Sequence, residues 1–308
     1  MDGFLNIMKP SGLTSHDVVR RIRDLIPGTK TGHGGTLDPD ATGVLPILTG
    51  KGARLSSYLV EFPKLYRAEL QLGITTDTED ASGRITGSKT VPSFTLQDLQ
   101  KAFKLFQGEI WQTPPMYSSV KKEGKKLYQY ARAGLDVQRS PRKVSIYTIQ
   151  IIEFYPPSRV LFEVKCSKGT YIRTLCAQIG DFLECGGHMS YLLRKQVGPF
   201  MLQDAHRLEE LGDTPRDNRV KEFLLPLDYI FQERERLVFE GTEINELCHG
   251  RFLTWERLSG KYGEEVTIPV DEIMFPVYTK AGVFTLLARW KKDAGGNYYL
   301  KPEIVLWK

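Results

Sequence analysis

At 308 residues, with 41% apolar and 26% charged side chains, the chain has the composition of a globular protein with one large unit and a smaller one. No apolar run reaches the roughly 18 residues that a membrane-spanning helix needs, and Met1-Asp2-Gly3-Phe4 does not open like a secretory leader. The formal charge of +5 is modest, so any polyanion-binding surface must come from how the charge is distributed.

Phe4-Leu5-Asn6-Ile7 reads as a first strand, followed by a turn at Lys9-Pro10-Ser11-Gly12. Thr14 is placed to cap a helix, with Asp17 as an acidic variant of the capping box. Val18, Val19, Ile22, Leu25 and Ile26 form its apolar stripe, and Pro27-Gly28 ends it.

The stretch Gly32-His33-Gly34-Gly35-Thr36-Leu37-Asp38-Pro39-Asp40-Ala41-Thr42-Gly43 comes next. Its glycines permit positive φ and close backbone approach, and Pro39 holds Asp38 extended. The apolar run Val44-Leu45-Pro46-Ile47-Leu48 then reads as a buried anchoring strand. Two readings stand side by side: a tight structural turn with Asp38 as an Asx-turn or cap residue, or a rigid loop presenting one acid.

Leu65–Gly73 alternates strictly, with Tyr66, Ala68, Leu70 and Leu72 on one face, so Tyr66 points inward and its hydroxyl needs a polar partner. Thr75–Gly83 is acid-rich and lacks strand or helix periodicity, which predicts a loop. Thr95 caps a second predicted helix carrying Leu96, Leu99, Ala102, Phe103 and Phe106, stopped by Gly108.

Residues 112–143 hold eight Lys or Arg against two acids, a local +6 that leaves the remainder near −1. Lys121, Lys122, Lys125, Lys126 and Arg132 interleave there with Tyr117, Tyr128 and Tyr130, a pattern that suits phosphates and unstacked bases. Only one long helix is plausible within it. The bland alternative is a solvated helix face.

Val160, Phe162, Val164 and Cys166 alternate as another strand. Thr170 reads as the N-cap of a helix whose stripe is Ile172, Leu175, Ile179, Phe182 and Leu183. Arg173 then sits in the first turn against the helix dipole, so an anion should offset it. Residues 209–222 read as a polar linker, and a block of short β segments follows from about 231, clearest at 275–278 and 283–288. Residues 231–308 carry eleven basic and twelve acidic side chains, so bulk charge cannot bind RNA there. The four cysteines form no C-x-x-C pair and no zinc spacing, as expected of reduced structural thiols in a cytoplasmic protein.

The Gly32–Leu45 loop resembles the catalytic motif of TruB-type pseudouridine synthases. Four further stretches agree, in the family's order: Lys9-Pro10 with Ser15-His16-Asp17; Tyr66 with Leu72-Gly73 and Thr76–Asp80; Pro114–Ser118; and Lys168–Arg173. The resemblance implies an α+β fold with a mixed, largely antiparallel central sheet flanked by helices over residues 1–230. It also implies a small β-rich, PUA-like RNA-binding domain over 231–308.

The implied activity is isomerisation of uridine to pseudouridine at position 55 in the T loop of tRNA. The implied enzyme flips the base and uses no cofactor, no metal and no obligatory protein partner. By the same resemblance Asp38 is the essential carboxylate, Arg173 its partner and Tyr66 the ring on the target base. Tyr171 and Leu192 touch the same pocket, His33 fills the space the base leaves, and Asp80 and Lys9 lie nearby. The basic segment resembles the family's RNA-clamping insertion. Two alternatives remain: a tRNA-folding chaperone whose role needs no chemistry, or a related synthase acting on another RNA.

Overall fold

The computed structural model describes residues 1–214, 219–263 and 274–306. Nine strands form one sheet, in the order β1 (Gly3–Lys9), β3 (Thr42–Thr49), β12 (Gly187–Val197), β4 (Lys64–Leu72), β11 (Arg159–Cys166), β10 (Arg142–Tyr155) and β7 (Gly108–Gln112). Short β2 (Thr31–His33) pairs with β3, and β13 (Phe200–Met201) with β12. Every pairing is antiparallel except β3 with β12, where Leu193 faces Thr42 and Arg194 faces Gly43. The fold is therefore α+β with a mixed, largely antiparallel sheet.

That parallel seam is why Gly43 is a glycine. Its φ is +108°, and a Cβ there would lie 2.2 Å from the Arg194 carbonyl oxygen.

The helices cover the sheet largely as their stripes predict, although Leu96 and Phe182, read as stripe residues, are exposed. In α1 (Ser15–Leu25), Val18, Val19, Ile22 and Leu25 bury against β1 and β3, behind the Thr14–Asp17 capping box. Helix α3 (Leu96–Leu105) starts at a second such box, Thr95 with Asp98. It packs with α5 (Ile172–Phe182) over β4, β11 and β12, around Phe103, Phe162, Leu175 and Ile179. Short α2 (Ser56–Glu61) seats Leu59 beside the Gly34 backbone.

Three local expectations need correcting. The 75–83 stretch is not all loop, because β5 (Ile74–Thr76) pairs with β6 (Ile85–Ser88) in a two-stranded ribbon. That pairing is held by backbone bonds on a polar ribbon, which leaves no alternation to read. Thr170 does not cap α5; its hydroxyl instead bonds the Ser167 carbonyl at 3.0 Å, and Tyr171 is the N-cap residue, with no side-chain cap. The 209–222 stretch holds two 3₁₀ turns that bury Leu211 and Val220, while Pro215 to Asn218 of that reading lie outside the described residues.

Within the basic segment, β8 (Lys121–Lys122) and β9 (Lys125–Lys126) form a hairpin that leads into a short helix of six residues, α4 (Leu127–Arg132), where a long one was expected. The C-terminal block has a five-stranded sheet, β14 (Leu237–Phe239), β16 (Met274–Thr279), β17 (Phe284–Lys292), β18 (Tyr298–Val305) and β15 (Leu253–Thr254). It also contains α6 (Thr242–Cys248) and α7 (Trp255–Tyr262), which the β-type reading missed. Their apolar positions Ile244, Leu247 and Leu258 pack into the block's own core. A second core joins the two parts, with Phe4, Val44, Leu48 and Leu55 against Phe231, Met274, Leu287 and Leu306. Among the described residues no helix is long and apolar enough to cross a membrane.

Gly43→Ala should lower folding stability by more than about 2 kcal/mol, because a β-carbon strains both the backbone and the seam. Urea denaturation of the two proteins measures this. An unchanged midpoint would mean that the seam can open without cost.

Candidate active site

Residues 34–41 form the loop entering β3 at the seam, and side chains pin it at three places. Ser15 Oγ accepts from the Leu37 amide at 2.9 Å. Lys9 Nζ, buried under the loop, donates to the carbonyls of Pro10, Leu13 and Pro39 at 2.7–2.8 Å. Burial pushes the Lys9 ammonium down to about 8, against the pull of Asp38 and Asp40. Arg194, from β12, donates to the carbonyls of Val44, Thr36 and Gly35 at 2.7, 3.2 and 3.1 Å.

So held, the loop aims Asp38 at Arg173, not into a cap or Asx-turn. The guanidinium meets both carboxylate oxygens, Nε to Oδ2 and Nη2 to Oδ1, each at 3.2 Å. Arg173 itself is buried on the first turn of α5. Its Nη1 also reaches Asp80 Oδ2 at 3.4 Å and the Thr78 carbonyl at 3.3 Å, and its Nη2 reaches the Tyr117 carbonyl at 2.9 Å. Two carboxylates and two carbonyls thus offset a cation that the helix end alone would repel. Burial pushes the Asp38 carboxyl up, nearby Asp80 adds to this, and Arg173 pulls the other way.

Asp80 serves two ends at once. While Oδ2 takes Arg173, its Oδ1 accepts from Thr78 Oγ1 at 2.6 Å, Ser82 N at 3.0 Å and Ser82 Oγ at 2.6 Å. It therefore ties the 76–82 turn to the arginine.

Tyr66 on β4 and Leu192 on β12 lie in the core beneath the loop, with Leu37 and Ala41 above them. The Tyr66 ring is buried, with burial raising its hydroxyl and Arg194 opposing that. Tyr171 is held at the start of α5 by Gln112, whose amide accepts from the Tyr171 N–H at 2.9 Å and donates to its carbonyl at 3.2 Å. His33 stands edge-on to His16, ring centres 5.2 Å apart. Burial, then His16, Arg194 and Lys126, push the His33 imidazole down to about 4, so it is neutral at pH 7. Among the described residues no three His, Cys, Asp or Glu side chains gather as metal ligands.

The sequence that carries these residues matches known families. Residues 23–172 match the TruB family pseudouridylate synthase N-terminal domain, and residues 173–232 the tRNA pseudouridylate synthase B C-terminal domain. The chain belongs to the TruB family of pseudouridylate synthases.

The tRNA pseudouridine synthase B of Moorella thermoacetica is 41% identical over 308 residues, covering 99% of both chains. That of Caldanaerobacter subterraneus subsp. tengcongensis is 42% identical, over 92% of this chain and 93% of its own. Among solved structures, a Cbf5–Nop10–Gar1 complex contains a chain with the same fold, at TM-score 0.73 and 25% identity. The match covers 99% of this chain and 84% of that one.

In this TruB-family chain, then, the structure brings Asp38, Arg173, Asp80, Tyr66, Tyr171, Leu192, His33 and Lys9 around one loop. The basic insertion reaches the same place: the Tyr117 carbonyl bonds Arg173, and Lys126 comes close enough to influence His33. Lys121, Lys125 and Arg132 remain exposed, whereas Lys122 and Lys126 are half-buried. Lys126 and Arg132 flank the Tyr128 ring at 5.7 and 5.4 Å.

Sequence reasoning missed two residues that shape the site. Arg194 carried only a weak signal, since Lys195 and Gln196 follow it and make it look like one more polar strand residue. Gln112 carried none, since an amide at a strand end has many ordinary uses.

A buried neutral imidazole makes a signed prediction. Below pH 6.5 the unfolded chain binds a proton at His33 that the folded chain refuses until about pH 4. Stability therefore falls as pH drops through that window. His33→Gln should remove up to about 1.4 kcal/mol per pH unit of that slope. Urea unfolding of both proteins at pH 7 and 4.5 tests it, and identical pH dependences would count against a buried neutral ring.

Proposed function

We propose that this chain, a tRNA pseudouridine synthase by family, isomerises the uridine at position 55 in the T loop, acting without cofactor or protein partner. One observation carries the reading. A carboxylate on a pinned, glycine-framed loop is gripped at both oxygens by a buried guanidinium, beside two tyrosines and a leucine.

A stacked uridine cannot reach such a pocket, so it must be flipped out at a cost of a few kcal/mol. His33 suits the space it leaves, because a neutral ring stacks on bases without a charge to desolvate. Tyr66, Tyr171 and Leu192 then enclose the flipped base. Asp38 acts ionised, whether it attacks C1′ or C6 or takes a proton from the ribose. Bound RNA excludes water and would by itself protonate Asp38; the two-point contact with Arg173 opposes this.

The base detaches from C1′, turns and rejoins through C5. Tyr66 then takes the C5 proton: the C5–H pair closes the C5=C6 double bond, the C6=N1 pair moves to N1, and N1 takes a proton from water. Lys121, Lys122, Lys125, Lys126 and Arg132 of the insertion bind tRNA phosphates, and the C-terminal block adds a local RNA-binding patch. The role is one of tRNA modification, which we assign to the cytoplasm.

Tritium release from tRNA labelled at uracil C5 tests the reaction. The wild type should release label from the T-loop uridine, and Asp38→Asn should release none while still binding tRNA. Full release by Asp38→Asn would remove Asp38 from the chemistry, and binding without release by either protein would leave a tRNA-folding role.

Because burial raises the Asp38 carboxyl, the single-turnover rate should fall with acid above the ordinary carboxylate value of about 3.9. Arg173→Met should move that fall to higher pH; no movement would sever Arg173 from Asp38. Lys121→Ala should weaken tRNA binding and reduce the log–log salt slope by roughly one. A slope equal to that of the wild type would exclude a phosphate contact there.

A further inference from the structure

Arg194 is an almost wholly buried cation, at 1% exposure, and among the described residues it makes no ion pair with a carboxylate. Stripping a guanidinium of water is expensive, so its charge needs a counterpart that carbonyls satisfy only in part. Three of its five N–H donors go to the carbonyls of Gly35, Thr36 and Val44.

The sheet register shows where the rest of the group faces. On β12, Arg194 lies directly opposite Tyr66 of β4, and the two share the buried face of the sheet. Directly opposed residues hold their β-carbons about 4.5–5.5 Å apart, so the phenol and the guanidinium are neighbours by construction. On its other side Arg194 faces Gly43, where the absent side chain lets β3 approach.

We infer that Arg194 is a positioning residue for Tyr66. It sets a full positive charge beside the phenol oxygen and fixes that oxygen against the loop that carries Asp38. The inference rests on the reading of Tyr66 as the acceptor of the C5 proton. A buried phenol keeps its proton, and an acceptor must first have lost it. The charged and titratable groups facing Tyr66 are Arg194 from β12, Cys166 from β11 and Asp38 from the loop. Of these only Arg194 favours the phenolate, and Tyr66 in turn favours the charged form of Arg194. The same guanidinium thus holds the acid loop by its carbonyls and readies the ring beneath, so the two groups keep one spacing.

Single-turnover tritium release across pH 6–10, with enzyme saturating, tests this on four proteins: wild type, Arg194→Gln, Arg194→Lys and Tyr66→Phe. Arg194→Gln should release label about 10-fold more slowly, with tRNA affinity unchanged. Its rate should level off at a pH higher by about one unit. Arg194→Lys, which keeps the charge, should recover most of the rate. In the Tyr66→Phe background the Arg194→Gln change should cost less than about threefold, because the partner it acts through is gone.

If Tyr66→Phe is impaired while Arg194→Gln matches the wild type in rate and pH dependence, the Arg194 inference is wrong and the Tyr66 reading stands. Wild-type turnover by Tyr66→Phe overturns the Tyr66 reading and this inference with it. Should Arg194→Gln fail to fold, Arg194→Met with and without Tyr66→Phe carries the comparison. Equal losses in both backgrounds then reduce Arg194 to a structural clamp.

Discussion

The site depends on one buried guanidinium being shared. Arg173 contributes its side chain from the first turn of α5, yet its partners come from three other places: the Asp38 loop, the 76–82 turn and the root of the basic insertion. A buried cation is tolerable only when its donors are used, and a buried carboxylate stays ionised only with a cation beside it. Each group makes the other possible. Sequence segments more than 90 residues apart must therefore converge before either can be accommodated.

The sheet supplies the rigidity that such sharing needs. Its one parallel strand pairing among the described residues, β3 with β12, lies under the acid loop, so the loop is launched from inside the sheet and not from an edge strand. Gly43 lets the backbones meet there, and Lys9, Ser15 and Arg194 then hold the loop at Pro39, Leu37 and Gly35–Thr36. A loop bonded at successive residues has few conformations to lose when RNA arrives, which is the advantage of a pre-organised site.

The parts of this arrangement that repeat were legible in the sequence. Alternation placed β4 and β11, stripes and caps placed α1 and α3, and five motifs in order pointed to the family. What stayed hidden lacks a period. The β5–β6 ribbon is short and carries only Ile74 and Ile85 as apolar residues, and helices α6 and α7 are too short for their stripes to stand out among strands. The start of α5 moved by one residue because Gln112, far away in sequence, holds Tyr171 in place of a side-chain cap. The cation at Arg173 predicted an anion, but no local pattern could say that Asp38 and Asp80 both answer it. Arg194, followed by Lys195 and Gln196, did not stand out until strand register set it against Tyr66.

The core that joins the two parts has a consequence for how the molecule is made. Phe4 is wholly buried, and the residues it shares that cluster with include Met274, Leu287 and Leu306. At about 5–20 residues per second, a ribosome reaches residue 306 roughly 15–60 s after it has passed residue 4. Through that interval the cluster around Phe4, Val44 and Phe200 lacks its C-terminal members, so its protection falls to chaperones or to provisional contacts. The catalytic sheet is closed on this side only when the C-terminal block docks, and the chain's beginning waits for its far end to finish the fold.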